Sequence, residues 1–179
     1  MLIYMALIET EEDRVLFEQI YYKYKGLMFH VAYDVLGQRE DAEDAVQMAF
    51  EAIAKNIEKI SSVDCPKTRG YIVIITERKA IDIQRKNSRS ISTAFEDWEL
   101  GIEISLPGDG GLQDAITQLK PSYREVILLH FAYGYKTNEI AEMLEMKQDA
   151  VRKKIWRAKK MLEEKLKEGG APYEHVSDG

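Results

Sequence analysis

Between Thr137 and Leu166 the apolar residues fall into two helical stripes separated by a very short gap. Ile140, Ala141 and Leu144 sit one, then three residues apart, within TNEIAEML. Val151, Ile155, Ala158, Leu162 and Leu166 follow at steps of 4, 3, 4 and 4. Such steps place each set on one helix face. Glu145-Met146-Lys147 leaves room only for a tight turn, so the two helices must cross and bury their stripes together. Thr137 is the expected N-cap of the first. The spacing therefore predicts a helix-turn-helix.

The second helix is strongly basic. Residues 147–160 hold seven Lys/Arg against one acid, Asp149, in a chain whose formal net charge is −6. A basic helix in an acidic protein calls for a polyanion, most simply DNA phosphate. In this motif the first turns of the second helix reach base edges and later basic residues hold phosphate. Gln148, Asp149, Arg152 and Lys153 are the candidates for base reading, with Lys154, Arg157 and Lys160 beside them. The competing reading is a solvated basic face on an ordinary helix.

The rest of the composition narrows the function classes. Cys65 is the single cysteine, so no intrachain disulfide or thiol metal cluster is expected. His30, His130 and His175 are far apart and lack ligand spacing. There is no phosphate loop and no nucleophile–base pair in a recognisable context, so no catalytic residue, metal or cofactor is expected. MLIYMALI at the start is apolar but too short to span a membrane, and it runs straight into Glu9, Glu11, Glu12 and Asp13. It reads as a frayed end or the start of the first helix, in a cytoplasmic protein without membrane insertion of its own.

Charge divides the chain into three. Residues 1–90 carry a net −2, residues 91–112 a net −5 with no basic group, and residues 113–179 a net +1. The middle stretch adds Pro107, Gly108, Gly110 and Gly111 and reads as a flexible acidic linker. Its Phe95, Trp98, Leu100, Ile102 and Ile104 are unusual for a spacer and suit docking on a partner or on a flanking domain. Before it, Phe17, Ile20, Tyr21, Tyr24, Leu27, Met28, Val31 and Val35 recur at helical steps up to Gly37. Residues 40–60 form a second amphipathic helix on Ala42, Ala45, Val46, Ala49, Phe50, Ile53 and Ile57. Its acids Asp41, Glu43 and Asp44 lie near its N-terminus, where they favour the helix dipole. Pro66 opens a third, about 67–86, although Tyr71–Ile75 has the composition of a strand. After the linker come a short helix Leu112–Leu119 and a helix Tyr123–Ala132, opened by a Ser122-x-x-Glu125 capping box and closed by Gly134. The tail, residues 169–179, reads as disordered. The fold class expected is all-α: two small helical domains, 10–90 and 113–168, joined by the 91–112 linker, the second a helix-turn-helix.

Both halves resemble one family, the small extracytoplasmic-function sigma factors of bacterial RNA polymerase, over roughly residues 14–167. Asp41-Ala42-Glu43-Asp44-Ala45-Val46-Gln47-Met48-Ala49-Phe50 looks like its D-A-E-D-x-V-Q-E-x-F helix. Thr68-Arg69-Gly70-Tyr71-Ile72 resembles F-R-x-W-L, and Ala80-Ile81-Asp82-Ile83-Gln84-Arg85-Lys86 resembles A-x-D-x-x-R-R. Leu119-x-Pro121-x-x-Arg124-Glu125-Val126 is similar to L-P-x-x-x-R-E-V, the opening of a minus-35-binding domain. Glu139-Ile140-Ala141 and Val151-Arg152-x-x-Ile155-x-Arg157-Ala158 continue it.

The resemblance implies a promoter-specificity subunit, not an enzyme, that is monomeric when free. Its implied partners are core RNA polymerase (the β′ clamp helices and the β flap), promoter DNA and an anti-sigma factor. Asp41, Glu43, Asp44, Gln47 and Phe50 become candidates for the polymerase, and Tyr71, Arg78, Lys79, Arg85 and Lys86 for the minus-ten element, with Tyr71 supplying a stacking ring. The chain departs from the family at Met48, where an acid is usual, and at Thr76-Glu77-Arg78, where A-R-N is usual. Glu77 would set an acid where phosphate approaches. Trp156 either packs on the core or stacks at DNA, and an apolar body of that size favours the core. Two other readings fit parts of the pattern. One is a sigma-mimicking adapter that binds an anti-sigma protein. The other is a stand-alone helix-turn-helix regulator with residues 14–60 as a dimer interface.

Overall fold

Thr10 starts the first long helix as its sequence demands. Its side-chain oxygen accepts the backbone N–H of Asp13 at 3.1 Å, and Glu11, Glu12 and Asp13 complement the dipole of the first turn. In the computed structural model, which describes residues 2–88 and 110–168, this helix is α2, Glu11–Leu36. It ends at Gly37, whose φ of 67° costs no Cβ clash and whose N–H returns to the Tyr33 carbonyl at 2.7 Å. Ahead of it, α1 (Leu2–Met5) is neither a frayed end nor the start of α2. Tyr4 packs its ring 5.7 Å from Phe17 and 5.9 Å from Phe50, and Ile8 is buried.

Helix α3, Arg39–Lys55, lays Ala42, Ala45, Ala49 and Ala52 against its neighbours, and these small side chains let the helices approach closely. The expected 40–60 helix breaks at Asn56. Its side chain donates to the Ala52 carbonyl at 2.9 Å, and the chain tightens into a 3-10 turn, Ile57–Lys59. Helix α4, Pro66–Ser88, packs on both α2 and α3. The segment that could have been a strand is helix. Tyr71 to Glu77 are all buried, because α4 is covered by α2 and α3 on one side and by the second half of the chain on the other.

The second half begins earlier than its charge pattern suggests: α5 spans Gly110–Thr117, so the last residues assigned to the linker are helical. The remaining linker residues, with Phe95, Trp98, Leu100, Ile102 and Ile104, and the tail from residue 169 lie outside the described residues. Helix α6, Pro121–Ile127, runs into a π-helical turn, Leu128–Ala132, before Gly134 at φ 71°. The expected capping box at Ser122 does not form. Lys120 is the N-cap residue, and Glu125 is buried, where it meets a cation. Helix α7 is Thr137–Met143 and α8 is Gln148–Glu168, with α8 packed on α5, α6 and α7. The cap of α7 lies one residue before Thr137: the Glu139 carboxylate accepts the Lys136 N–H at 2.7 Å. The turn between α7 and α8 places Glu145 at φ 53°, and Met146 N–H bonds the Ala141 carbonyl at 2.7 Å.

The structure is all-α among the described residues, with two helical domains. One apolar core nevertheless runs through both, from Phe17, Phe50, Tyr71 and Ile72 to Leu129, Tyr135, Ile140 and Val151. No helix among the described residues is long and apolar enough to cross a membrane, and none of their acid, His and Cys side chains form a metal-sized cluster.

Candidate nucleic-acid interface

The stripe of α8 is buried as its spacing requires: Val151, Ile155, Ala158, Leu162 and Leu166 all face the core. At about 100° per residue, the opposite face must carry positions 149, 152, 153, 156, 157 and 160. Asp149, Arg152, Lys153, Arg157 and Lys160 are indeed exposed there. Arg152 keeps only a loose ion pair, 3.7 Å to Asp149. Gln148 is held at the start of the helix, its amide donating to Thr137 Oγ1 at 3.1 Å. Thr137 therefore orients a candidate base-reading residue rather than capping α7.

Two residues on this helix depart from expectation. Lys154 turns away from the outer face: it donates to the Ser122 carbonyl at 3.1 Å and lies 4.0 Å from Glu125. Burial lowers its pKa, opposed by Glu125. Trp156 does the reverse and is 60% exposed. Lys160 Nζ stands 4.6 Å over its ring, and Lys159 covers the exposed Phe131 in the same way at 5.7 Å. An aromatic ring among cations offers both a stacking surface and charge to a nucleic acid.

The minus-ten candidates on α4 divide. Arg85 and Lys86, in the last turns, are exposed. Tyr71 is fully buried and offers no ring to a base; burial pushes its phenol pKa upward. Arg78 is bound to Glu125 Oε1 at 2.6 Å, and Lys79 to Glu145 Oε2 at 3.2 Å. Glu77 does not face approaching phosphate. It is buried against Arg124, 3.0 Å away, and Arg124 also donates to the Thr117 carbonyl at 2.8 Å. The doublets Glu77-Arg78 on α4 and Arg124-Glu125 on α6 thus pair crosswise, acid to base and base to acid. Burial raises the Glu77 pKa to about 7, with Arg124 opposing the rise, and it raises that of Glu125, opposed by Arg78.

The acidic face of α3 is open. Glu43, Asp44 and Gln47 are exposed, with Glu43 accepting from Arg39 Nε at 2.9 Å, and Asp41 is half-buried and accepts from Asn87 at 3.0 Å. Met48 adds an exposed apolar group in their midst. Phe50 does not belong to this surface: its ring is 4.8 Å from Tyr21 and 6.0 Å from Phe17, inside the core. Sequence reasoning missed the buried Arg124 and Glu125 as partners of α4. The signal was there only as two charge doublets 47 residues apart.

Residues 20–90 match the family model described as Sigma-70 region 2, and residues 110–162 match Sigma-70, region 4. The chain is 29% identical over 143 residues to the RNA polymerase sigma factor SigV of Bacillus subtilis, covering 78% of this chain and 84% of that protein. It is 27% identical over 150 residues to the ECF RNA polymerase sigma factor SigE of Mycolicibacterium smegmatis, covering 78% of this chain and 57% of that one. Among solved structures it is similar to the sigma factor RpoE bound to the anti-sigma factor NepR from Bartonella quintana. There the identity is 19% and the TM-score 0.43, over 84% of this chain and 96% of that one.

Proposed function

Because the chain belongs to the sigma-70 family, in its extracytoplasmic-function group, we propose that it is a promoter-specificity subunit of bacterial RNA polymerase. The observation that carries this reading is the outer face of α8. Arg152, Lys153, Arg157 and Lys160 stand exposed around Trp156 on the second helix of a helix-turn-helix, in the half that matches region 4. Gln148, Asp149, Arg152 and Lys153 read the minus-35 element, and Arg157 and Lys160 hold its phosphates. On α4, Arg85 and Lys86 with Arg78 and Lys79 engage the minus-ten strand. Asp41, Glu43, Asp44 and Gln47 on α3 dock the core enzyme at its β′ clamp helices, and the region 4 half meets its β flap. The protein works in the cytoplasm, and the family adds an anti-sigma protein to its proposed partners. Each DNA contact is weak alone, and their linkage through one chain and one polymerase tightens both.

Transcription in vitro tests this. The protein is added to core polymerase on fragmented host DNA, and RNA 5′ ends are sequenced. New starts sharing two upstream elements at fixed spacing are expected. Failure to bind core polymerase would overturn the reading.

A further inference from the structure

The seam between the two domains is built from the groups that α4 would offer to DNA. Arg78 and Lys79, adjacent on α4, are each held by a carboxylate of the second domain, Glu125 on α6 and Glu145 in the turn before α8. Lys59 adds a third pair across the same seam, 3.0 Å from Glu142 on α7. Beneath them lies the buried Glu77–Arg124 pair. A carboxylate on Arg or Lys has the charge and acceptor geometry of a phosphate oxygen. We propose that Glu125 and Glu145 occupy the phosphate positions of α4, so that closure of the two domains and binding of a nucleic-acid strand to α4 exclude one another. This rests on the reading of α4 as a DNA-binding helix.

The seam is also made to come apart. The hydroxyls of Tyr71 and Tyr135 are buried at it without a hydrogen bond of normal geometry among the described residues, which closure must offset. Its fit depends on a missing side chain. A Cβ at Gly70 would lie 2.2 Å from Cζ of Tyr133, in a helix that otherwise gains from any larger residue there. Gly70 is thus a contact of closure, and it lies outside every proposed DNA or polymerase contact.

Two variants of the full chain open the seam by different means: Gly70→Leu as a wedge, and Glu125→Ala with Glu145→Ala to remove the carboxylates that accept from Arg78 and Lys79. Scattering in solution reports closure, and a short labelled single-stranded DNA reports binding by α4. Both variants should expand and bind the strand at least about tenfold more tightly, as follows when the wild-type seam is closed more than about nine-tenths of the time. By reciprocity, saturating strand should expand the wild-type chain. Expansion with no gain in affinity would overturn the competition. Variants that stay as compact as wild type would overturn the latch. Run-off transcription tests the underlying reading separately: a variant that opens, binds the strand and supports no new start sinks the sigma reading and leaves the competition standing.

Discussion

Replacing Arg124 by Met keeps the length of the side chain and removes its charge. Arg124 is 2% exposed and spends its guanidinium on Glu77 and on the Thr117 carbonyl, 3.0 and 2.8 Å away. With Arg124 gone, a carboxylate that is itself almost fully buried loses its only ion-pair partner among the described residues. Removing one member of a buried pair costs about 3–5 kcal/mol, most of it the uncompensated charge left behind. That figure applies where Glu77 is ionised. Its pKa is raised to about 7 from an ordinary 4.5, so at pH 6 the folded protein mostly holds the proton and the stranded charge is largely absent. Without Arg124 to oppose the rise, Glu77 takes up a proton at pH 8 as well. The expected loss is therefore about 1–2 kcal/mol, a lost hydrogen bond, at pH 6 and about 2–3 kcal/mol at pH 8, one pH unit above the wild-type pKa adding about 1.4 kcal/mol. Guanidinium unfolding followed by circular dichroism measures both. The double variant Arg124→Met, Glu77→Leu should recover about 1–2 kcal/mol of the pH 8 loss, the coupling of the pair. A cost under about 1 kcal/mol at pH 8, or an equal cost at both pH values, would show that the two groups are apart in solution and refute the argument.

Other outcomes follow from the same geometry. In a Trp98→Phe background, duplex DNA bearing the minus-35 element should quench Trp156 emission, and Trp156→Ala should weaken that complex by about 1–2 kcal/mol. Arg157→Ala should weaken binding on all sequences alike and lower the salt dependence by about 0.9 in log–log slope, one phosphate contact, in a titration over ionic strength. Phe50→Ala should cost about 3–5 kcal/mol of stability by calorimetry. Asp44→Arg, on the open face of α3, should cost less than about 1 kcal/mol of stability and weaken capture of core polymerase in a pull-down. The seam itself should respond to pH. Glu77 and Glu125 have pKa values raised by burial, so closure retains protons that the open chain releases. Their contribution is full below the ordinary carboxylate pKa and is lost as pH rises through the raised one. Lys154, whose pKa burial lowers, acts in the opposite sense. Scattering should report a more open chain at pH 8 than at pH 6.

What could be read in the sequence follows how many sides of each helix are covered. Helix α8 is buried on one face only, so its stripe and its basic face were both legible, and the exposed positions fell where the period put them. Helix α4 is covered from two directions, so Tyr71 to Glu77 lost its period and took on the composition of a strand. Local hydrogen-bond rules misled where a tertiary partner competed. Glu125 has the spacing of a capping box with Ser122, but the half-buried guanidinium of Arg78 on α4 outcompetes a backbone N–H. Resemblance carried residue types without their orientation. Phe50 and Tyr71 stand in the right motifs, yet each ring fills the core rather than facing a partner. Trp156 went the other way, its apolar body left in solvent between cations. The crosswise pairing of Glu77-Arg78 with Arg124-Glu125 has no periodic or local signature at all. Only the folded seam joins doublets that far apart.

On the proposed reading the closed arrangement does not treat the two candidate DNA surfaces alike, and this would set an order of events. Arg152, Lys153, Arg157 and Lys160 on α8 face solvent with the seam shut. On α4 only Arg85 and Lys86 do so, while Arg78 and Lys79 are neutralised by Glu125 and Glu145. Duplex DNA can therefore reach α8 before the domains part, whereas a strand needs the parting to gain the full charge of α4. Opening frees two cations on α4 and, on the second domain, two acids that repel phosphate. A partner that takes up those acids, or that holds the domains apart by their outer faces, favours strand binding without touching α4. Core polymerase, docked on the acidic face of α3 and on the second domain at once, would act in that way. On the proposed reading the acidic balance of the chain has a mechanical sense: carboxylates would stand in for phosphate until a polymerase and a promoter are both present.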